Sequence, residues 1–247
     1  MPAISRLFIE AELQQHAQVQ ITNSQTHYLI NVMRKKIGDQ VKIFNEHFGE
    51  WLAKICFIDK KSCTLEIIEQ LRTPVTKNDL SLIFSPIKPN RLGILIEKAT
   101  ELGVTKFIPI NTTNCIIKEV NIDKLRLIAI EAAEQCERLD IPEFVPIQTM
   151  QNLFSKWDGS LVMLCSEHEQ STSIKELLTS DNFHDIKSIL IGPEGGFITL
   201  EIENLIKYSF IKSVHLGPRV LRAETAGIAA ISCYSNFFSN NINYPRK

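Results

Sequence analysis

The sequence holds ten glycines in 247 residues, and four of them, Gly192, Gly195, Gly196 and Gly217, fall within 26 positions. Short apolar runs lead directly into them. Residues 188–191 (SILI) precede Gly192, Pro193, Glu194, Gly195 and Gly196, and residues 213–216 (SVHL) precede Gly217 and Pro218. In an open α/β sheet, ligands settle beyond the carboxyl ends of strands, where glycine lets backbone approach a flat ligand closely. Two such loops on neighbouring strands would form a pocket lined by peptide N–H and C=O groups. The same residues also suit two ordinary tight turns, because Gly-Pro is common punctuation. The first loop is not a Walker loop, since no Lys-Ser/Thr pair follows it and Phe197 comes next. Nor is it GxGxxG, a dinucleotide fingerprint that belongs after the first strand of its domain.

The stretch 216–226 (LGPRVLRAETA) sets Arg219, Arg222, Glu224 and Thr225 between an apolar strand and an apolar helix. Glu224 suits the positive end of a helix dipole, whereas two arginines just before a helix start do not. A local conflict of that kind is common at functional sites. Metal chemistry has no comparable signal. The six cysteines contain no CxxC pair, and the six histidines no HxxxH, so no metal is expected and reduced, mostly buried thiols are the default.

The elements that must carry these residues fall into two textures. Residues 1–72 read as mostly β, with a short apolar run at 19–22 and a helix from Ser24 as cap to about Lys36, presenting Leu29, Val32 and Met33 on one face. Strand-like runs follow at 40–45, 50–59 and 62–71. In the second, Trp51, Ala53, Ile55 and Phe57 recur with a period near two. Several short strands joined by hairpin-sized connections suggest a small barrel.

From Thr73 on, strands alternate with helices, the pattern of a parallel sheet with helices on its faces. Strands are expected at 80–85, 107–111, 160–165, 188–191 and 213–216. Helices are expected at 91–102, ended by Gly103, at 123–138, burying Leu125, Ile128, Ala132 and Cys136, and from about Glu224. On the second helix Glu134 and Arg138 stand four apart, as a surface ion pair would. The cut near residue 73 divides the chain into domains 1–72 and 73–247.

Composition narrows the function classes. At 44% hydrophobic and 22% charged the chain is globular, with no apolar run approaching a membrane span and no secretory signal at its start. A cytoplasmic location is expected. A net charge of −1 does not fit a nonspecific nucleic-acid glue, yet leaves room for a specific RNA partner met through a local basic patch. Arg34, Lys35 and Lys36, and Lys60 and Lys61, are the basic runs of the first half.

Six motifs occur in order along nearly the whole chain: RLFIE (6–10), HYLINVMRKKIGD (27–39), KATELGV (98–104), EAAEQCER (131–138), IGPEGGF (191–197) and LGPRVLRAETA (216–226). This combination resembles the ribosomal RNA small subunit methyltransferases of the RsmE type. The resemblance implies a SPOUT-superfamily α/β domain, its parallel sheet carrying a C-terminal trefoil knot, preceded by a PUA-like β-barrel that binds RNA. Such a knot is too rare to be proposed from periodicity. The resemblance also implies S-adenosyl-L-methionine as methyl donor, N3 of one uridine in 16S rRNA of the assembled small ribosomal subunit as acceptor, and a homodimer.

Carried over by motif, three strand-end loops should cradle the cofactor. The first supplies Leu164 and Glu167, and the second Ile191, Gly192, Pro193, Glu194, Gly195 and Gly196. The third supplies Leu216, Gly217, Pro218, Val220, Leu221 and Arg222. Uracil N3 must lose a proton as it attacks the methyl carbon, so negative charge growing on the base carbonyls needs stabilisation. Arg138 and Arg222 are the candidates for that, with Glu134 orienting Arg138, and Glu224 or Thr225 accepting a proton or holding the base. Arg6, Arg34, Lys35 and Lys36 would contact RNA phosphates, which position without specifying sequence.

One departure stands out: Asn114-Cys115 occupies a place where an Arg-Ser pair is expected. Three rivals are weighed against this reading. Sister enzymes that methylate ribose 2′-oxygens carry Ser-Leu-Asn in the last motif, where this chain has VLRAETA. A binding-only factor would not need the intact glycine loop and both late arginines. A nicotinamide oxidoreductase lacks its early fingerprint.

Overall fold

Alternating apolar and polar side chains build the first half of the protein. The computed structural model describes residues 4–59, 62–75, 79–168, 171–181 and 183–238. The chain divides into two compact units, one of Met1–Lys77 with Ala133–Ile141, the other of Asn78–Ala132 with Pro142–Lys247.

The first unit contains strands β1 (Arg6–Phe8) and β2 (Gln18–Gln20), helix α1 (Asn23–His27) continued by a π-helical turn (Tyr28–Val32), and strands β3 (Gln40–Asn45), β4 (Gly49–Ile58) and β5 (Cys63–Arg72). The sheet runs β1-β3-β4-β5-β2, with β1 parallel to β3 and the other pairs antiparallel. Leu7, Val19, Leu29, Val41, Ile43, Ala53, Ile55, Leu65 and Ile67 share its core. Strands β3 to β5 lie within a residue of the expected runs. Phe57 departs from the expected face: the register slips between Ile55 and Phe57, which turns Phe57 outward to 53% exposure.

The helix differs from expectation at both ends. Thr22 rather than Ser24 caps it, accepting from the Gln25 N–H while the Gln25 side chain accepts from the Thr22 N–H. It ends at Val32 rather than near Lys36, because the last turn widens and Arg34 takes a left-handed φ of 54°. Leu29 is buried, but Val32 and Met33 are exposed.

A charged cluster lies inside this unit. Arg6 Nε donates to Glu50 Oε1 at 2.6 Å, and Arg72 donates to both Glu50 oxygens at 2.8 and 3.0 Å. The Arg6 guanidinium also lies 3.5 Å from the Phe44 ring centroid, and donates to the backbone carbonyls of Ala133 and Arg138 at 2.6 Å each. Its side chain is 5% exposed, and that of Glu50 2%. Arg6, expected on the RNA-facing surface, is therefore an internal tie, because a guanidinium enclosed by a carboxylate and two carbonyls cannot reach a phosphate.

The second unit contains β6 (Ser81–Phe84), α2 (Pro89–Glu101), β7 (Lys106–Asn111), α3 (Ile122–Gln135), β8 (Glu143–Phe144), β9 (Gln148–Thr149), α4 (Met150–Phe154), β10 (Leu161–Cys165), β11 (Thr172–Ser173), α5 (Ile174–Leu178), β12 (Ile186–Ile191), α6 (Thr199–Leu205), β13 (Ile211–His215) and α7 (Ala223–Phe238). The last three residues of α3 group with the first unit. The strands form a wholly parallel sheet in the order β11-β13-β10-β12-β6-β7-β8, with β9 also beside β7.

Helix α2 buries Leu92, Leu95, Ile96 and Ala99 as its spacing predicts, and Gly103 at φ 98° ends it. Helix α7 packs on α2 and β12 through Gly227, where a Cβ would stand 2.8 Å from Leu95 Cδ1 and 3.0 Å from Ile191 Cδ1. Helix α3 stops at Gln135, three residues earlier than expected, because Glu137 adopts a φ of 61°. Cys136, expected in the core, is consequently exposed. The strands that carry the two glycine loops, β12 and β13, are not neighbours as expected: β10 lies between them and pairs with both.

Candidate active site

Because β13, β10 and β12 are adjacent and parallel, their carboxyl ends open on the same edge of the sheet. The loops that leave them surround a cavity of about 690 Å³. The β10 loop contributes Cys165, Ser166, Glu167 and His168. The β12 loop contributes Ile191 to Phe197 without a gap, and the β13 loop contributes Leu216, Gly217, Arg219, Val220 and Leu221. Ile202, Ala223 and Ala226 complete the wall.

Each loop is held by its own local bonds. The Gly196 N–H donates to Pro193 O at 2.9 Å, closing a tight turn, and Gly196 takes a φ of 68° that a side chain would strain. Asn114 grips the same turn from outside, its Nδ2 donating to Gly195 O at 3.1 Å and Gly196 O at 3.0 Å. A Cβ on Gly195 would meet Asn114 Cβ at 3.3 Å. The loop containing Asn114 is itself fixed by Glu201 of α6, which accepts from the Thr113 N–H at 2.7 Å and from Thr113 Oγ1 at 3.0 Å. The β10 loop is tied down by hydroxyls. Ser166 Oγ and Ser171 Oγ each lie 2.8 Å from Ser213 Oγ.

Arg91, in the first turn of α2, donates to Glu194 Oε1 at 3.1 Å, and its Nε lies 3.7 Å from Glu224 Oε1. Glu224 is 8% exposed, and its Oε2 is buried without a hydrogen-bond partner. The Cys165 thiol in the cavity wall is pushed up to about 12 by burial, with a further contribution from Cys233, so it stays protonated near neutrality.

Eleven of the residues expected to hold a cofactor border this one cavity: Glu167, the six from Ile191 to Gly196, Leu216, Gly217, Val220 and Leu221. Leu164 is not among them. It is fully buried in the core with Ile83, Ile110 and Leu190, and the cavity begins one residue later. Pro218 and Arg222 belong to the third loop without lining the cavity, and Arg222 and Thr225 are exposed.

Glu134 and Arg138 lie in the first unit. Glu134 Oε1 accepts from the Phe8 N–H at 3.0 Å, and Arg138 forms two hydrogen bonds to Asp140, at 3.1 and 2.6 Å. Since α3 ends before Arg138, these two residues are not successive turns of one helix face. Arg34 and Lys36 are exposed and Lys35 half-buried. Lys60 and Lys61 lie outside the described residues. Arg91 and Asn114 were not expected at the site. The sequence marked Asn114 only as a departure, and Arg91 only as the first residue of an expected helix. Among the described residues no three His, Cys, Asp or Glu side chains gather as a metal site, and no helix is long and apolar enough to cross a membrane.

Comparison with known proteins agrees with this arrangement. Residues 74–235 match the model of an RNA methyltransferase domain, and residues 21–68 that of an RNA methyltransferase PUA domain. The ribosomal RNA small subunit methyltransferase E of Rickettsia conorii is 39% identical over 230 residues, covering 92% of this chain and 93% of that one. The chain belongs to the small subunit ribosomal RNA methyltransferase E family. Two structures bearing on this family share its fold. The Neisseria gonorrhoeae methyltransferase E bound to S-adenosyl methionine superposes with a TM-score of 0.84 at 22% identity, covering 96% of this chain and 98% of that one. A Legionella pneumophila methyltransferase in complex with the bound cofactor SAM gives 0.82 at 26% identity, covering 95% and 98%. The chain is thus an RNA methyltransferase with a PUA domain before a parallel-sheet catalytic domain.

Proposed function

We propose that this methyltransferase transfers a methyl group from S-adenosyl-L-methionine to N3 of a specific uridine in 16S rRNA of the assembled small ribosomal subunit. The observation that carries the reading is the convergence of three parallel strand-end loops, two of them glycine-rich, on one cavity in a chain of this family. The cavity suits the cofactor: about 690 Å³ lies within the ~300–1,000 Å³ typical of small-molecule sites. Ile191, Phe197, Leu216, Val220 and Leu221 offer apolar walls to a flat base, and the glycine loops offer backbone groups. The carboxylates of Glu167 and Glu194 offer negative charge to a cationic ligand. When bound, the cofactor supplies an electrophilic methyl carbon on a sulfonium.

The protein's own groups then have separable tasks. The three loops orient the donor, which converts encounter into alignment. Arg222, on the rim segment, stabilises negative charge growing on the uracil carbonyls. Arg138, with Glu134, is a second candidate for that role, and Glu224 or Thr225 receives the proton or holds the base. Arg34, Lys35 and Lys36 dock the RNA backbone. Residues 1–72 act as the RNA-binding domain and 73–247 as the methyltransferase domain, with a C-terminal trefoil knot. The enzyme works as a homodimer in the cytoplasm without a metal.

The decisive experiment is methyl incorporation from labelled S-adenosylmethionine into small subunits that lack the native mark, followed by identification of the modified nucleoside. Label in 3-methyluridine of 16S rRNA is the expected result. Label on a ribose would place the enzyme with the 2′-O-methylating sisters, and no label despite cofactor binding would overturn the substrate. A smaller effect is expected from Asn114→Ala. Two exposed hydrogen bonds to the Gly195 and Gly196 carbonyls are lost, so S-adenosylmethionine affinity by calorimetry should weaken about threefold, an effect of less than 1 kcal/mol. Unchanged affinity would show that the turn holds itself.

A further inference from the structure

Three segments distant in sequence meet at the Arg91 guanidinium. Arg91 itself sits in the first turn of α2, Glu194 in the β12 loop, and Glu224 in the first turn of α7. Helix α2 has no acidic residue in its first turn, and its N-cap, Lys88, makes no side-chain capping bond. A guanidinium there is opposed by the helix dipole, so its own helix does not favour it. What holds it are two carboxylates brought from elsewhere. The side chains are 33% exposed for Arg91, 25% for Glu194 and 11% for Glu224, so the bridge is partly shielded from solvent. The contacts are unequal, a hydrogen bond of 3.1 Å to Glu194 and a 3.7 Å approach to Glu224. Arg91 does not line the cavity, whereas Glu194 does.

We propose that Arg91 is a positioning residue for the methyl-transfer site: by bridging Glu194 and Glu224 it locks the cofactor-binding glycine turn to the start of α7. The planar fork matters, because one guanidinium can face two carboxylates where an ammonium offers a single point of charge. Without the bridge, two carboxylates of like charge face one another and the turn loses its fixed register. The proposal rests on the reading of the cavity as the S-adenosylmethionine site.

The test is calorimetric titration of S-adenosylmethionine into the full-length wild type and into R91M, R91K, E194A and R91M/E194A, with kcat and the KM for RNA measured alongside. R91M and E194A should each weaken cofactor affinity about tenfold, and the double variant should be no worse than about threefold below the weaker single, because both remove one bridge. R91K should fall between R91M and wild type. The KM for RNA should not move, which a general loosening of the fold would not allow. Cofactor affinity of R91M within about twofold of wild type would overturn the proposal, as would losses that multiply in the double variant. Should R91M fail to fold, R91K and E194A with their double variant carry the same comparison. A wild type that binds no S-adenosylmethionine would refute the reading of the cavity instead.

Discussion

Replacing Glu50 by alanine is expected to destabilise the N-terminal unit by about 3–5 kcal/mol, the cost of leaving a buried charge without its partner. The Arg6 guanidinium would stay enclosed, 5% exposed, with the Ala133 and Arg138 carbonyls but without the carboxylate it donates to. Urea unfolding followed by Trp51 fluorescence in a Trp157→Phe background reads this unit separately, since Trp51 lies in β4 and Trp157 outside that unit. A midpoint shift worth less than about 0.5 kcal/mol would show that the cluster contributes only specificity. The companion variant Arg6→Met should not restore stability to Glu50→Ala, because Arg6 also satisfies two backbone carbonyls.

The same carboxylate gives a pH dependence of known sign. Burial works to raise the Glu50 pKa, but hydrogen bonds from Arg72 and Arg6, with their charges, outweigh it and hold the group below the usual carboxylate range. A folded pKa below the unfolded one means the native state binds fewer protons than the unfolded state in that interval. The stabilisation is therefore complete above the ordinary glutamate range, about pH 4.3, and is lost as pH falls through the lower folded value.

Arg222→Ala is expected to reduce kcat by about 10²–10³-fold while leaving S-adenosylmethionine affinity within about twofold, the pattern of a group that acts on developing charge. The separation follows from placement. The Arg222 side chain is exposed beside the third loop and does not line the cavity, and its carbonyl accepts the Ala226 N–H at 2.8 Å to start α7. Alanine keeps that carbonyl, so the helix start is preserved. Unchanged turnover would transfer the role to Arg219, which does line the cavity.

Much of the sheet was legible from the sequence because strand periodicity and the apolar runs before glycine are local signals. Strands β3, β4, β5, β7 and β10 lie within about a residue of their expected bounds, and two of the three loops that border the cavity carry the glycine motifs. What escaped depends on partners far along the chain. Arg6 looks like any surface arginine until Glu50, 44 residues away, and the carbonyls of Ala133 in α3 and Arg138 beyond it enclose it. Arg91 acquires its partners across 103 and 133 positions, which no helical pattern reveals. The register slip beside Phe57 and the left-handed turns at Arg34 and Glu137 are backbone events at non-glycine residues, and composition carries no mark of them.

The placement of β10 between β12 and β13 also orders the assembly of the molecule. As the chain is made, β10 exists before either neighbour, and its contact with β13 spans 49 residues from Val162 to Ile211. Until the later strands arrive, both backbone edges of an apolar strand lack their ladders, a state that favours aggregation. Closing long loops before any contact is gained is slow. The two strands made last of the sheet, β12 and β13, therefore both carry loops of the cavity, and the same segment covers the two open edges of β10.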